Sequence, residues 1–304
     1  MLKRVAWVLL AVGLTGCQHG LVPEGAWVQK VSTGYKFTEG PVADAAGNVY
    51  FSDIPNNRIM KYDIREHRES VYRENTGGAN GLRFDKQGRL YACEGASRRI
   101  TRFADGKVEP VATLFPFADR LNSPNDLRID DKGGVYFTDP RYGNRDSMEM
   151  KSEAVYYLPP PADGKTQGGK LPIKRVIDNL KRPNGLTLSP AGRTLFVADN
   201  ASNNIWAYDI ASDGSLKNGR VFAWVDPNVK GGVDGMTVDR KGNVYGAAQG
   251  TIWVWNCQGV PIRRIHIPEP PSNCVFAGPN GDELYVTART SLYRVRLNAE
   301  TASR

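Results

Sequence analysis

The segment Glu39-Gly-Pro-Val-Ala-Asp-Ala-Ala-Gly47-Asn-Val-Tyr50 contains the pattern from which the fold is predicted. A polar residue is followed eight positions later by a glycine, and three positions after that by a large apolar or aromatic residue. The pattern occurs six times, and its polar residues, called the anchors, are Glu39, Asn80, Asn125, Asn184, Asp234 and Asn273. The matching glycines are Gly47, Gly88, Gly133, Gly192, Gly242 and Gly281. Six occurrences in one chain indicate an internal structural repeat.

The spacing of the anchors predicts the fold class. They lie 39 to 59 residues apart, which is typical of propeller blades made of four short strands. Alternating apolar and polar residues between turn glycines favour strands throughout. We therefore predict an all-β, six-bladed β-propeller. The last repeat ends after its third strand, whereas a strand at 27–32 precedes the first repeat. This N-terminal strand is predicted to complete the last blade and close the ring, which also hides an unpaired edge.

The N-terminal residues predict export. Lys3 and Arg4 precede an apolar run at 5–14 that is too short for a permanent membrane span, as in secretory signals. The sequence Leu14-Thr-Gly-Cys17 resembles a bacterial lipoprotein signal, in which the cysteine is lipidated. An ordinary signal with a chance cysteine remains the alternative. We predict a signal peptide at 1–16, a lipidated Cys17 with a tether at 17–26, and a single propeller domain at 27–304.

This assignment also gives the expected location and partners. Gln18 after the cysteine implies sorting to the outer membrane, so we expect a lipid-anchored protein of the bacterial cell envelope that faces the periplasm. The membrane is expected to be contacted only through the lipid on Cys17. The net charge of +8 is not clustered in a stripe, so no nucleic-acid partner is expected. No obligate protein partner is predicted.

Composition excludes several other classes. An apolar fraction of 40% in 304 residues is inconsistent with disorder, collagen or a polytopic membrane protein. Beyond Cys17, the cysteines Cys93, Cys257 and Cys274 have no metal-ligand spacing and are expected to be small buried strand residues. The three histidines all lie outside the anchors, which disfavours a serine triad because its base is missing.

The anchors predict a polar site on the propeller axis. If each anchor begins the innermost strand of its blade, the six side chains converge at one mouth of the central channel. The alternative interpretation is that Asn and Asp before glycine only form turns. Two facing carboxylates, Glu39 and Asp234, repel unless one is protonated or a cation lies between them. Oxygen donors without thiolate or imidazole suit calcium best, with magnesium, manganese or zinc as alternatives.

Five segments resemble the signature segments of the senescence marker protein/gluconolactonase family. They are Glu39-Gly-Pro, Ser123-Pro-Asn125-Asp-Leu, Phe137-Thr-Asp139-Pro-Arg-Tyr-Gly143, Arg182-Pro-Asn184-Gly-Leu and Val233-Asp234-Gly-Met. The resemblance extends over residues 27–297 and implies a six-bladed propeller with one divalent metal in its axial pocket. It also implies hydrolysis of sugar lactones.

The resemblance assigns roles to individual residues. It implies metal ligation by Glu39, Asn184 and Asp234, and contact of Asn125 with metal or substrate. Asp234 is implied as the proton-transfer residue, accepting a proton from water and passing it to the ring oxygen. Pure ligation by Asp234, with another group moving the proton, is the alternative.

A long loop after Asp139 is the predicted lid or specificity element of the pocket. Arg141 and Tyr142 in this loop, together with Asn80 and Asn125, are the expected substrate-binding residues. Arg141 is equally compatible with a surface ion pair. Asp139 itself occupies the same repeat position as Asp53, which favours a structural role.

We therefore predict a metal-dependent hydrolase of sugar-type lactones with Asp234 as general base. A phosphotriesterase-like or other ester hydrolase that uses the same metal is the first alternative. A propeller that binds or scaffolds at the envelope without turnover is the second, since one fold supports many functions.

Overall fold

The structure, a computed structural model, describes residues 27–104, 106–112, 120–146, 148, 150, 152–160 and 173–297. In these ranges the chain forms 24 strands arranged in six four-stranded antiparallel sheets. One 3-10 turn, Ile54–Asn56, is the only helical segment of the described residues, and none of them forms a helix able to span a membrane. The predicted signal peptide and tether, residues 1–26, lie outside the described residues.

In blades 1 to 5 the strands follow the chain from the channel outward, and blade 6 differs only in that its outermost strand is the first strand of the chain. The first strand of the chain, which belongs to blade 6, is β1 (Val28–Thr33). Blades 1 and 2 contain β2 (Thr38–Ala43), β3 (Val49–Asp53), β4 (Arg58–Asp63), β5 (Arg68–Glu74), β6 (Ala79–Phe84), β7 (Leu90–Glu94), β8 (Arg99–Ala104) and β9 (Lys107–Ala112). Blades 3 and 4 contain β10 (Leu127–Ile129), β11 (Val135–Asp139), β12 (Ala154–Leu158), β13 (Lys174–Ile177), β14 (Pro183–Leu188), β15 (Thr194–Asp199), β16 (Asn204–Ile210) and β17 (Leu216–Trp224). Blades 5 and 6 contain β18 (Val233–Val238), β19 (Val244–Ala248), β20 (Thr251–Trp255), β21 (Pro261–His266), β22 (Pro271–Ala277), β23 (Glu283–Ala288) and β24 (Ser291–Arg296).

The N-terminal strand closes the ring. β1 pairs antiparallel with β24, and its register places Val28 opposite Val295 and Thr33 opposite Ser291. The innermost strands of neighbouring blades contact one another around the axis, including β2 with β22. The predicted six-bladed propeller, with its last blade completed by the N-terminal strand, is confirmed.

The hydrophobic core is divided among the six interfaces between blades. Each of the six clusters of buried side chains draws its residues from two neighbouring sheets. Tyr136 and Leu195, which occupy the apolar position of the repeat, are fully buried between blades 3 and 4. Burial of each such side chain stabilises the fold by roughly 2 kcal/mol. The apolar repeat position therefore holds neighbouring blades together.

The repeated glycine occupies the turn between the first and second strands of each blade. All six of these glycines have φ between 64° and 88°, a backbone conformation that side chains with a Cβ rarely adopt. In blade 1 the Asp44 carboxylate completes the turn by accepting hydrogen bonds from the backbone N–H groups of Ala46 and Asn48, both at 2.9 Å. The pattern quoted from the sequence is thus a turn requirement repeated six times.

A second set of glycines follows the anchors and lies inside the innermost strands. A Cβ on Gly185 would lie 2.3 Å from the Asp234 carbonyl oxygen, and a Cβ on Gly235 would lie 1.8 Å from the Asn273 side chain. Glycine is required there because neighbouring innermost strands approach closely at the axis. The interpretation of these Asn-Gly and Asp-Gly pairs as turns is wrong, since both pairs lie within β14 and β18.

The cysteine prediction is correct at two positions. Cys93 in β7 and Cys274 in β22 are buried strand residues, as expected. Cys257 was expected to be a third, and this is wrong, because it is exposed in the turn between β20 and β21. The apolar pattern around it belongs to β20, which ends two residues earlier.

Candidate functional site

The anchors meet where the innermost strands begin, at what we call the upper mouth of the axial channel. Five anchors are the second or third residue of their innermost strand, and Asn125 lies two residues before β10. The Asn273 side chain donates a hydrogen bond to Oε2 of Glu39 at 3.1 Å, which joins the last blade to the first. Residues 234 positions apart are therefore in contact at this mouth.

Glu39 is a buried carboxylate with an acidic neighbour. Its side chain is 5% exposed, and Oε2 also accepts the backbone N–H of Gly40 at 2.7 Å. Burial raises the pKa of Glu39 well above its usual range, and the negative charge of Asp234 raises it further. These effects outweigh the hydrogen bonds from Gly40 and Asn273, which favour the ionised form.

Asp234 is held beside Asn184 on the facing strands. Burial raises the pKa of its carboxyl, and a hydrogen bond from the Asn184 side chain opposes that shift. The Asn184 amide nitrogen also donates to the hydroxyl of Tyr142 at 2.6 Å. Two strands and one loop thus orient a single amide between a carboxylate and a phenol.

Asp126 is a third acid that sequence reasoning did not select. Its charge further raises the pKa of both Glu39 and Asp234. Its Oδ1 accepts the backbone N–H of Leu127 at 2.8 Å and Nη1 of Arg128 at 3.1 Å, whereas its buried Oδ2 has no hydrogen-bond partner among the described residues. The available signal was its position, because four of the six anchors are followed by glycine and Asn125 is followed by this aspartate.

The chemistry of these donors fits one divalent cation. The charge of Asp234 raises the pKa of Glu39, so the two carboxylates need a proton or a cation to coexist, and the surrounding groups are amide oxygens. Among the described residues, no cluster of three or more His, Cys, Asp or Glu side chains could hold a metal ion, so amides would have to complete the ligand set. Such an all-oxygen set suits a hard cation. Glu39, Asp234, Asn184 and Asn125 are the residues that would hold it, and ligation by each remains a prediction.

A cavity of about 380 Å³ is lined by residues of blades 1 to 3 and by Tyr142, and Glu39 and Asp234 are not among its lining residues. Its lining includes three of the predicted substrate-binding residues, Asn80, Asn125 and Tyr142. Because Tyr142 also contacts Asn184, the cavity adjoins the candidate metal ligands. The volume is sufficient for a small cyclic molecule.

The fourth predicted substrate-binding residue, Arg141, is not among the residues that line this cavity. Its guanidinium donates to the backbone carbonyls of Asn144 at 2.9 Å and Asn122 at 3.0 Å. Its backbone N–H donates to Glu153 at 2.6 Å. The structure therefore places Arg141 where it holds the loop that carries Tyr142, and its contact with substrate stays a prediction.

Asp139 has the structural role that its repeat position favours. Its carboxylate accepts the backbone N–H groups of Asn122 at 2.8 Å and Ser123 at 2.7 Å, which precede the innermost strand of the same blade. Asp53 and Asp199 bind the equivalent backbone groups in blades 1 and 4. Burial raises the pKa of Asp139 to about 7, although both backbone hydrogen bonds favour the ionised form. These acids position the segments that lead into the anchors.

The fold and the site together place the protein among six-bladed propellers that carry a polar site of acids and amides at one mouth of the axial channel. Residues 37–290 match the family described as SMP-30/gluconolactonase/LRE-like region. The chain belongs to this family, which confirms the resemblance found in its signature segments.

Three relatives illustrate the range of the family. The chain is 32% identical over 304 residues to a gluconolactonase of Zymomonas mobilis, covering 88% of this chain and 81% of the relative. It is 28% identical over 238 residues to the lactonase drp35 of Staphylococcus haemolyticus, covering 76% and 69%. It is 26% identical over 284 residues to the diisopropyl-fluorophosphatase of Loligo vulgaris, covering 85% and 87%.

Solved structures share the same architecture. A gluconolactonase of Xanthomonas campestris superimposes with a TM-score of 0.80 at 31% identity, covering 91% of each chain. Regucalcin of Agrobacterium tumefaciens, described as a calcium-binding protein, superimposes with a TM-score of 0.74 over 92% of this chain. At 19% identity this second likeness supports the fold alone.

Proposed function

We propose that the protein is a metal-dependent hydrolase of sugar-type lactones in which Asp234 acts as general base. The observation that carries the proposal is the electrostatic contact of two buried carboxylates, Glu39 and Asp234, with a cavity of about 380 Å³ joined to this group through the hydrogen bond between Tyr142 and Asn184. The coarser statement, a lactone-hydrolysing enzyme, is supported by the gluconolactonase and lactonase relatives.

The proposed metal is one divalent cation, with calcium as the first candidate because every donor is an oxygen. When bound, such an ion polarises a carbonyl or lowers the pKa of a bound water. Glu39 and Asp234 would neutralise its charge, and the amide of Asn184 would stay oriented by its hydrogen bond to Tyr142. Magnesium, manganese and zinc are the alternatives to be compared.

Asp234 is proposed to move the proton of the reaction. Its carboxylate takes a proton from the water whose oxygen attacks the lactone carbonyl carbon. The ring C–O bond then breaks, and the same proton passes to the departing oxygen, so that a hydroxy acid is released. Burial raises the pKa of this carboxyl, and a bound cation would oppose that rise by favouring the ionised form that accepts the proton.

The cavity residues are proposed to recognise a polyhydroxylated ring. Asn80 and Asn125 present amides that both donate and accept hydrogen bonds, as a ring with several hydroxyl groups requires. Tyr142 adds an aromatic face and a hydroxyl fixed by Asn184. This mixed lining favours a sugar lactone over a purely aliphatic ester.

A phosphoester substrate is the second candidate. The specific observation in its favour is the similarity to a diisopropyl-fluorophosphatase over 284 residues at 26% identity. Both reactions need a polarised oxygen and an activated nucleophile, so the same acids and amides serve either. Only the preference between substrates separates the two.

A substrate panel on the metal-defined protein tests the proposal. We expect hydrolysis of glucono-lactone to exceed hydrolysis of a phosphotriester, and to disappear on addition of chelator. Asp234→Asn is expected to lower kcat by about 10²- to 10⁴-fold. The matched control is Asp213→Asn, an exposed turn residue, which should keep wild-type rates. Full activity in chelator, or in Asp234→Asn, contradicts the metal or the base respectively.

Export and lipidation of Cys17 form a separate proposal, which is supported by the sequence alone. In a bacterial host we expect the wild-type protein in the membrane fraction with incorporated label from palmitate. Cys17→Ala is expected to be unlabelled and to leave the membrane fraction. Equal labelling of the two proteins overturns the anchor.

A further inference from the structure

The axial channel opens a second time where the innermost strands end, at what we call the lower mouth. A cavity of about 550 Å³ lies there. Its lining includes the residues three positions after all six anchors, of which two are apolar and four are polar, namely Arg83, Arg128, Thr187 and Thr237. In an unbroken strand, residues three apart face opposite sides. The register shifts by one residue after the anchors of β6, β14 and β18, and this bulge turns the later residue toward the same channel.

Arg128 spans the channel between two blades. Its side chain crosses from blade 3 to blade 5, where Nη2 donates to the carbonyl oxygen of Met236 at 2.7 Å. Its Nη1 donates to the carbonyl of Leu127 at 2.7 Å and to Asp126 at 3.1 Å. The charge of Arg128 is thus balanced by an ion pair with Asp126, and Arg128 is 7% exposed.

Arg83 has no such match. Among the described residues, its guanidinium makes no hydrogen bond and no ion pair within 4.0 Å. Burial lowers the pKa of Arg83 to about 10, the positive charge of Arg128 lowers it further, and the negative charge of Asp126 opposes both effects. Arg83 therefore remains a cation at neutral pH. Arg83 is partly buried, so a counter-charge bound in the cavity would offset the cost of removing its charge from water.

The acids that line the lower mouth do not serve as that counter-charge. The Asp44 carboxylate accepts the backbone N–H groups of Ala46 and Asn48 and the side-chain amide of Asn48. The Asp239 carboxylate likewise accepts two backbone N–H groups, the side-chain amide of Asn243 and the Tyr245 hydroxyl. The oxygens of both carboxylates already accept hydrogen bonds within the turns that they stabilise.

We propose that the lower mouth is a binding site for a small oxyanion, a carboxylate or a phosphate, held by the Arg83 guanidinium. The hydroxyl groups of Thr187 on β14 and Thr237 on β18 are further donors among the residues that line the same cavity. A guanidinium offers two parallel N–H groups to two oxygens of such an anion, which gives short, charge-assisted hydrogen bonds. The proposal does not depend on the hydrolytic activity, because no anchor is among the residues that line this cavity.

Calorimetric titration of chelator-treated protein with inorganic phosphate tests the site. We expect saturable binding by the wild type, and at least about tenfold weaker binding by Arg83→Met. Glu39→Gln, at the upper mouth, should bind phosphate as the wild type does. Arg65→Met removes an exposed arginine of the β4–β5 turn and is the matched control. Undiminished binding by Arg83→Met, or loss of binding in Glu39→Gln, overturns the proposal.

Two additions keep the test decisive. If Arg83→Met does not fold by near-ultraviolet circular dichroism, the double variant Thr187→Val with Thr237→Val is titrated, and unchanged phosphate affinity overturns the proposal. Competition then separates the two anion types. Displacement of phosphate by gluconate but not by neutral glucitol supports a carboxylate ligand, and displacement by neither supports a phosphate site. Equal displacement by glucitol and gluconate overturns recognition of charge.

Discussion

The upper and lower mouths of the channel are built by the same six strands, yet they offer opposite charges. At the upper mouth Glu39 and Asp234 face each other among amides. At the lower mouth Arg83 and Arg128 stand on strands whose anchors are uncharged asparagines. In strand β18 the anchor is the acid Asp234 and the residue three positions later is Thr237. A propeller strand can therefore give each end of one channel its own chemistry through single side chains.

The largest expected effect concerns the acid pair of the upper mouth. Glu39→Gln removes one of two charges that a divalent cation would balance, so we expect loss of bound metal and at least about a 100-fold loss of lactone hydrolysis. Metal content by mass spectrometry and initial rates check this. Glu66→Gln, an exposed glutamate, is the control. Wild-type metal content in Glu39→Gln would remove the basis for treating the upper mouth as a cation site.

The next effect concerns the close approach of the innermost strands β14 and β18 at Gly185. Gly185→Ala places a Cβ 2.3 Å from the Asp234 carbonyl oxygen and should destabilise the protein by about 3 kcal/mol. Gly88→Ala meets no atom within 4 Å and is strained only by its φ of 76°, at a cost of about 1 kcal/mol. Denaturant unfolding measures the difference. Equal losses would mean that close approach of the strands does not separate the two positions.

A third test asks whether both mouths depend on ring closure. Glu269 accepts hydrogen bonds from Thr290, Ser291 and Tyr293 and forms an ion pair with Lys30 at 3.0 Å, which ties β1 to β24. Partial burial alone would raise the pKa of Glu269, but these partners lower it from 4.5 to about 2. The ionised form is thus stabilised by folding above pH 4.5, and this stabilisation is lost as the pH falls toward 2.

Glu269→Gln should therefore lower the free energy of unfolding at pH 7 by about 2 kcal/mol. The gap between variant and wild type should shrink as the pH falls below 4.5. Unfolding curves at pH 7, 4.5 and 3 provide the measurement, with Glu66→Gln again as control. A gap that stays constant with pH contradicts the role assigned to the ionised carboxylate.

The smallest expected effect sharpens the upper mouth alone. Tyr142→Phe removes the hydroxyl that accepts from Asn184, a hydrogen bond worth about 1 kcal/mol. We expect KM for the lactone to rise about fivefold with kcat changed by less than about threefold. Phosphate affinity at the lower mouth should be unaffected. An unchanged KM would remove Tyr142 from the substrate-binding residues.

Features with a local requirement could be predicted from the sequence. The turn glycines, exemplified by Gly47, need a positive φ, so the repeat and its six blades were visible without coordinates. The closing strand β1 was predictable because the last repeat lacked a fourth strand. The convergence of Glu39 and Asp234 followed from the same periodicity.

Features that depend on bulges and on close approach could not be predicted. If side chains alternated strictly along β6, Arg83 would face away from the channel that its anchor Asn80 faces. The bulge that turns Arg83 toward the channel leaves no signature in the sequence. Asp126 replaces a glycine that the crowded axis otherwise demands, and only the packing of neighbouring blades reveals that demand. Cys257 was misplaced because an apolar stretch does not show where its strand ends.

The direction of β1 determines which side of the protein the chain enters. Because β1 runs antiparallel to β24, Val28 lies at the face where the innermost strands end. The ten residues between Cys17 and Val28 can span at most about 35 Å. A lipid on Cys17 would therefore orient the propeller with the arginine-bearing face toward the bilayer. The acid pair would point away from the lipid surface, so that substrates would approach it from the aqueous compartment without crossing the headgroup region.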